Sequence, residues 1–297
     1  MTPAVRSLNA VTVALWCGVI LLVVVGFAGS VVRAFGVLES AVFSDAPVPE
    51  LSRLDRGSAL FMAMLLGVER GTPAFREIDA QNRRMLGKFN RHPTATLLHV
   101  LPAALLVILA PLQFSRRIRS RHIQWHRWSG RVIVAIAIPV GISGLFFGLL
   151  MPFAGTLEAS AIAVFGGVFL FSLMRAFIAI RRGDVPRHRE WMIRMFSVVL
   201  GVATVRIVGI LLAVLTREGP EAWFGHSIWI GFGSTVAIAE LWIRYTRPSS
   251  RRMAAAGLTM LAADERAMEA RCARDDLTAR REAGVRRTGN DQSGGPS

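Results

Sequence analysis

Apolar residues in this chain are grouped into long blocks that short polar segments separate. A helix needs about 20 apolar residues to cross a hydrocarbon core about 30 Å thick. The pattern therefore predicts an all-α, polytopic membrane protein with six transmembrane helices, which we call spans 1 to 6. Their predicted ranges are 11–32, 94–114, 132–151, 160–180, 195–215 and 227–245.

The polar segment 33–93 is the longest connection between predicted spans. Its apolar run, Ala59–Val68, is too short to cross a bilayer easily, so we expect a re-entrant, interfacial or core-covering helix. If this run did span, the orientation of every later helix would be reversed. The pair Thr72-Pro73 is a favourable helix start and predicts a helix that ends near Gly87.

Arginines in the short loops predict the orientation of the spans. Loop 115–131 has six arginines and no acidic residue, and loop 181–194 has five arginines and two acidic residues. By contrast, loop 152–159 has no arginine and loop 216–226 has one. Loops rich in basic residues stay in the cytoplasm. Both termini, with the N-terminal residues 1–10, are then cytoplasmic, and segment 33–93 is extracytoplasmic.

The net charge of +15 is explained by the same orientation rule, and we expect no nucleic-acid partner. Anionic lipid headgroups at the cytoplasmic face are the expected partner. The polar tail 247–297 is predicted to be helical over Ser250–Arg286 and disordered over Thr288–Ser297. Cys17 and Cys272 predict neither a disulfide nor a metal site.

Two basic loops carry the same short motif. His126-Arg127 is followed by a tryptophan and an arginine before span 3, and His188-Arg189 is followed in the same way before span 5. Spans 2–3 and 4–5 therefore resemble two copies of one hairpin, which together form a core four-helix bundle. A site often lies at the interface between such repeats. A pseudo-twofold axis along the membrane normal would bring His126 and His188 together.

Two interpretations of these histidines stay open. They anchor helix ends at the membrane surface, or they hold one b-type haem, with His126 and His188 as axial ligands of its iron. No other metal site is expected, because the surrounding arginines repel a free divalent ion. In the haem interpretation, arginines of the two motifs neutralise the propionates. These arginines are Arg127, Arg131, Arg189 and Arg194.

Charged and ionisable residues inside the predicted spans are further candidates, because they are costly in lipid. His99 and Arg206 lie at similar depth and predict an outer cavity with His92 at its mouth. Alternatively, His99 is a neutral histidine bonded to a neighbouring helix. Arg175 and Glu240 lie at matching depths and predict a structural ion pair.

The combined motifs resemble a family of bacterial predicted membrane proteins of unknown function, the domain-of-unknown-function 2306 type. The resemblance covers roughly Phe89–Arg206 and implies a multi-pass protein of the bacterial cytoplasmic membrane. It rests on the pairs and runs His92-Pro93, Leu98-His99, Ala110-Pro111-Leu112-Gln113-Phe114, His126-Arg127 with Gly130-Arg131, and His188-Arg189 with Trp191-Met192-Ile193-Arg194.

The architecture is also similar to that of cytochrome b561-like six-helix proteins, which hold haem between histidines of a four-helix core. Span 4 has no histidine to partner His99, so this similarity implies at most one haem. Three functions follow as hypotheses: haem-dependent transmembrane electron transfer, transport or binding of an anionic solute or lipid, and a non-catalytic membrane scaffold. No hydrolase triad, phosphate-binding glycine loop, zinc spacing or nucleic-acid fold is present in the sequence.

Overall fold

The computed structural model describes residues 3–43, 53–247 and 266–268, and these ranges contain helices but no β-strand. The long helices have the bounds α1 Pro3–Phe43, α2 Arg53–Leu66, α3 Pro73–Asn90, α4 Pro93–Phe114, α5 Arg116–Arg121, α6 Ile123–Leu150, α7 Gly155–Arg181, α8 Val185–Thr216 and α9 Pro220–Thr246. The chain divides into two units, residues 1–243 and 244–297. The predictions for the tail lie outside the described residues, except that 266–268 are helical.

In the part of the chain that the structure describes, five helices are long and apolar enough to cross a membrane, namely α1, α4, α6, α7 and α8. They coincide with predicted spans 1 to 5, so the prediction of an α-helical membrane protein is confirmed. The sixth predicted span lies in α9, which has 27 residues and is not among these five helices.

Several helices are longer than the apolar blocks that predicted them. Helix α6 begins at Ile123 and not at residue 132, and α8 begins at Val185 and not at residue 195. Asp184 accepts a hydrogen bond from the Arg187 backbone N–H at 3.0 Å and caps α8. Arginine and glutamine are good helix formers in water as well as in lipid, so an apolar block marks only the membrane part of a helix.

The segment before α4 contains two helices. Thr72 caps α3 by accepting a hydrogen bond from the Phe75 backbone N–H at 3.2 Å, with Pro73 in the first turn, as predicted. The helix continues to Asn90, past the predicted end near Gly87. Helix α2 is too short to span, at 14 residues or about 21 Å. It packs on α3, where Asn82 donates a hydrogen bond to Ser58 at 2.9 Å.

The spanning helices form a closed ring. Helix α4 packs against α6, α6 against α7, and α7 against α8, while α1 packs against both α4 and α8 and closes the ring. Leu106, Ile133 and Met195 are fully buried at its centre. The prediction of a core made from α4, α6, α7 and α8 alone therefore omitted α1. Gly26 lies at this contact, where an added Cβ would be in ordinary van der Waals contact with Val107 at 3.6 Å and Ala203 at 3.7 Å.

Helix α9 packs along α7 and α8. Phe165 and Phe232 lie with ring centroids 5.2 Å apart, and the Trp229 indole donates a hydrogen bond to the Leu157 carbonyl at 3.2 Å. Gly231 allows α9 to approach the α8 backbone at Val205. These contacts make α9 part of the first unit up to Ile243.

Candidate functional site

The two motif histidines occupy equivalent positions in the fold, because His126 and His188 are each the fourth residue of their helix, α6 and α8. Both side chains are half-buried. They lie close enough to interact electrostatically, and Arg119 and Arg127 also act on His126. The structure therefore places the two histidines of the sequence repeat near the same end of the helix bundle, each in the first turn of its helix.

Each histidine has a different hydrogen-bond environment. The Nδ1 atom of His188 lies 2.9 Å from the carbonyl oxygen of Ala176 on α7. A carbonyl can only accept, so Nδ1 carries the proton and the Nε2 atom keeps its lone pair. The Nδ1 atom of His126 is buried and has no hydrogen-bond partner. A buried polar atom without a partner is uncommon and needs an explanation.

The end of α4 is tied to the first turns of α6 beside His126. Gln113, a buried side chain, donates a hydrogen bond to Ser129 at 2.6 Å, and Ser129 donates to the Trp125 carbonyl at 2.5 Å. Arg119 donates to the last carbonyls of α4, Gln113 at 3.3 Å and Phe114 at 3.1 Å. These bonds satisfy the otherwise free carbonyls at the end of α4 and hold the basic loop against the bundle.

Arg194 forms an ion pair with Glu240. Its guanidinium donates to both carboxylate oxygens of Glu240 on α9, at 2.5 and 3.0 Å, and lies 4.5 Å from the ring centroid of Trp191. The predicted pair of Arg175 with Glu240 was therefore wrong, since Arg175 lies over Trp191 at 5.6 Å instead. Matching depth could not show which side of α8 or α7 turns toward α9.

The three residues predicted to line one outer cavity lie in three different places. His99 lies between α4 and α6, with Nδ1 at 2.9 Å from Ser143 Oγ and 3.2 Å from the Val140 carbonyl. The Arg206 guanidinium lies between α8 and α1, directly against Gly29. His92 caps the start of α4, outside both interfaces. His99 thus has the geometry of a histidine bonded to a neighbouring helix.

Arg206 has little compensation for its charge. Its one hydrogen bond to the described chain is a long one, 3.4 Å, to the Val202 carbonyl of its own helix. No carboxylate of the described residues lies within ion-pair distance of it. A cation within a spanning helix needs a partner or water, so this position stays a functional candidate.

A buried ion pair, which the sequence did not predict, joins α3 to α7. Lys88 donates to Glu158 at 3.0 Å and to the Met151 carbonyl at 3.2 Å. The second carboxylate oxygen of Glu158 accepts from the backbone N–H groups of Phe153 at 2.6 Å and Ala154 at 2.7 Å. Lys88 is the only lysine of the chain, and this was the one feature of the sequence that could have indicated the ion pair.

The fold and its apolar helices define a multi-helix integral membrane protein. Residues 96–243 match the model of the family described as Predicted membrane protein (DUF2306), and the chain belongs to that family through this region. The match extends beyond Arg206 to Ile243 and so includes α9. No curated protein and no solved structure matches the chain. Among the described residues, no three histidine, cysteine or acidic side chains are grouped to hold a metal ion.

Proposed function

We propose that this membrane protein holds one b-type haem between α6 and α8 and transfers electrons across the bilayer. The observation that carries the proposal is the unpartnered, buried Nδ1 of His126 beside His188. His126 and His188 would hold the haem iron, since imidazole is a common protein ligand of haem. When bound, haem supplies one-electron redox chemistry, which the protein tunes through ligands and burial.

The hydrogen bond of His188 fits this role. Ligand histidines commonly donate their second ring N–H to a backbone carbonyl, which fixes the tautomer and the orientation of the ring. His188 makes such a bond to Ala176 and presents Nε2 as the ligand atom. His126 needs a partner for a buried nitrogen, and iron would provide one.

The arginines divide into two groups in this proposal. Arg194 is neutralised by Glu240 and positions Trp191, so it does not serve a propionate. Arg127 and Arg131 are exposed at the start of α6 and would pair with the propionates, while Arg189 on α8 is half-buried. Guanidinium groups bind carboxylates through paired hydrogen bonds.

The proposed topology has six spans, with α9 as the sixth. Support comes from its 27-residue length, its packing on α7 and α8, and the end of the family match at Ile243. Six spans and the arginine-rich connection at α5 place both termini in the cytoplasm of a bacterial cell, at the anionic inner face of the cytoplasmic membrane.

The absorbance spectrum tests the haem proposal directly. Protein purified from haem-supplemented cells is expected to show a Soret band, and His188→Ala and His126→Ala are each expected to abolish most of it. His122→Ala is the matched control, since His122 is exposed one turn before His126 and should leave the band unchanged. Thermal melts verify that all three variants fold. Colourless wild-type protein, or bands that survive both substitutions, would rule out this site and favour a non-catalytic scaffold.

A second candidate function, binding or transport of an anionic solute, is favoured by Arg206. Its guanidinium lies between α8 and α1 with a single long hydrogen bond to a carbonyl of its own helix. The absence of a side chain at Gly29 accommodates the guanidinium, because a Cβ there would lie 2.6 Å from the Arg206 Nε atom. His99 is excluded from this second candidate, because its ring is engaged with α6.

Replacing gluconate by chloride at constant ionic strength is expected to raise the melting temperature of the wild-type protein by a few degrees, because binding to the folded state stabilises it. Arg206→Leu is expected to remove this shift. Arg181→Leu, an exposed arginine at the end of α7, serves as the control and should retain it. A wild-type protein that does not respond to chloride, combined with a more stable Arg206→Leu variant, would show that Arg206 has no anionic ligand.

A further inference from the structure

A basic cleft of about 330 Å³ opens at the end of the bundle where α4 begins and α6 ends. It is distant in the fold from the histidine motifs, which lie at the opposite ends of α4 and α6. Helix α3 supplies one wall and the α6–α7 connection supplies the other. The lining residues are Arg84, Lys88, Arg91, His92, Met151, Pro152, Phe153 and Glu221.

Lys88 is a nearly buried cation in the lining of the cleft. Its side chain is only 10% exposed and is held by Glu158 and the Met151 carbonyl. An ammonium group has three N–H donors, and these two contacts use two of them. One donor of a rigidly held cation therefore remains for a ligand.

The charges of the lining leave one unbalanced cation. Glu158 offsets Lys88 at 3.0 Å, and Glu221 offsets Arg84 at 3.1 Å. The Arg91 guanidinium has no ion pair within the described part of the chain. His92 makes no capping hydrogen bond through its side chain, and it stands at the positive end of the α4 dipole. A ligand with a single negative charge would balance this lining.

The lining also includes apolar residues. Met151, Pro152 and Phe153 line the cleft together with the cations, so a ligand would meet both charge and hydrocarbon. Arginine binds phosphate oxygens through paired hydrogen bonds, which suit a tetrahedral oxyanion better than a small spherical ion. A phosphodiester is a monoanion with organic groups on both sides and satisfies both requirements.

We propose that this cleft binds a phosphodiester through Arg91, Lys88 and Arg84, with the organic part of the ligand against Phe153. The ligand is the headgroup of a glycerophospholipid or a soluble phosphodiester, which share this chemistry. The proposal is independent of haem binding at the other end of the bundle, and the two can fail separately.

Thermal melts of the full-length protein in a neutral detergent test the proposal with two probes. One probe is short-chain dihexanoyl phosphatidylglycerol, and the other is glycerophosphoglycerol, its headgroup without acyl chains. The lipid probe is expected to raise the melting temperature of the wild type, and Arg91→Gln is expected to weaken the apparent affinity about tenfold or more. Arg91→Lys keeps the charge but loses the paired N–H donors of the guanidinium. Its affinity should lie between those of the wild type and Arg91→Gln.

Arg83→Gln is the matched control, since Arg83 is an exposed arginine on the same helix that pairs with Asp79 at 2.8 Å outside the lining. It should bind both probes as the wild type does. Stabilisation by both probes supports the proposal with a soluble phosphodiester as a possible ligand, and stabilisation by the lipid alone supports it with a headgroup as the ligand. No stabilisation by either probe, or a shift that Arg91→Gln retains in full, would overturn it.

Discussion

Glu158→Ala is expected to destabilise the folded protein by about 3–5 kcal/mol, the largest effect of any single substitution proposed for this chain. The carboxylate is 3% exposed and serves three donors, Lys88 and the backbone N–H groups of Phe153 and Ala154. Removing it leaves a buried ammonium without a counter-charge and two backbone donors without an acceptor. Breaking a buried pair is costly for that reason, even where forming it adds little.

The measurement is the free energy of unfolding in mixed detergent micelles, followed by helical circular dichroism. Glu77→Ala is the control, because Glu77 lies on α3 and pairs with Arg84 at 3.4 Å in an exposed setting. Exposed pairs contribute about 0–1 kcal/mol, so this variant should be close to the wild type. The double variant Lys88→Met with Glu158→Leu should recover the part of the stability that is lost to the unpaired ammonium, while the two backbone donors stay without an acceptor. Equal stability of Glu158→Ala and Glu77→Ala would contradict the assigned pair.

Gly231→Ala is expected to cost about 1–3 kcal/mol and to loosen α9 from α8. A Cβ at this position would lie 2.7 Å from the backbone nitrogen of Val205 and 2.9 Å from its Cα. Backbone atoms cannot turn away as a flexible side chain can, so relief requires the helix axes to separate. Close approach through small residues is a main source of helix association in lipid, where no hydrophobic force drives the helices together.

Gly167→Ala is the matched control for this prediction, since it is a helical glycine with no atom within 4 Å of the added methyl group. Alanine is favoured over glycine in a helix by about 0.5–1 kcal/mol, so this variant should be as stable as the wild type or more stable. Limited proteolysis can follow α9 separately from the rest. If Gly231→Ala unfolds no more easily than Gly167→Ala, the close α8–α9 contact does not exist as described.

The candidate site at the histidine motifs could be predicted in part from the sequence. The repeat of a histidine, an arginine and a tryptophan before two apolar blocks singled out His126 and His188, and the fold places them at equivalent positions near the same end of the bundle. The hydrogen bond that distinguishes the two rings could not be predicted. Its acceptor is the backbone carbonyl of Ala176, and every residue has such a carbonyl, so no side chain in the sequence indicates it. The role of Arg194 was likewise hidden, since its partner Glu240 lies in another helix.

The sequence by itself determined that this is an α-helical membrane protein and where its apolar blocks lie. Length and hydropathy are local properties, and a helix that crosses lipid must be apolar along about 20 residues whatever it packs against.

Only the tertiary structure decided which side of each helix meets its neighbours. A helix that is apolar all round carries no stripe that marks its packed face, so its rotation cannot be read from periodicity. The rotation of each helix about its axis brings Glu240 to Arg194 and not to Arg175. It also places His99 and Arg206 at separate helix interfaces. The insertion of α1 into the ring was hidden for the same reason, because it depends on contacts with α4 and α8, which lie far from α1 in the sequence.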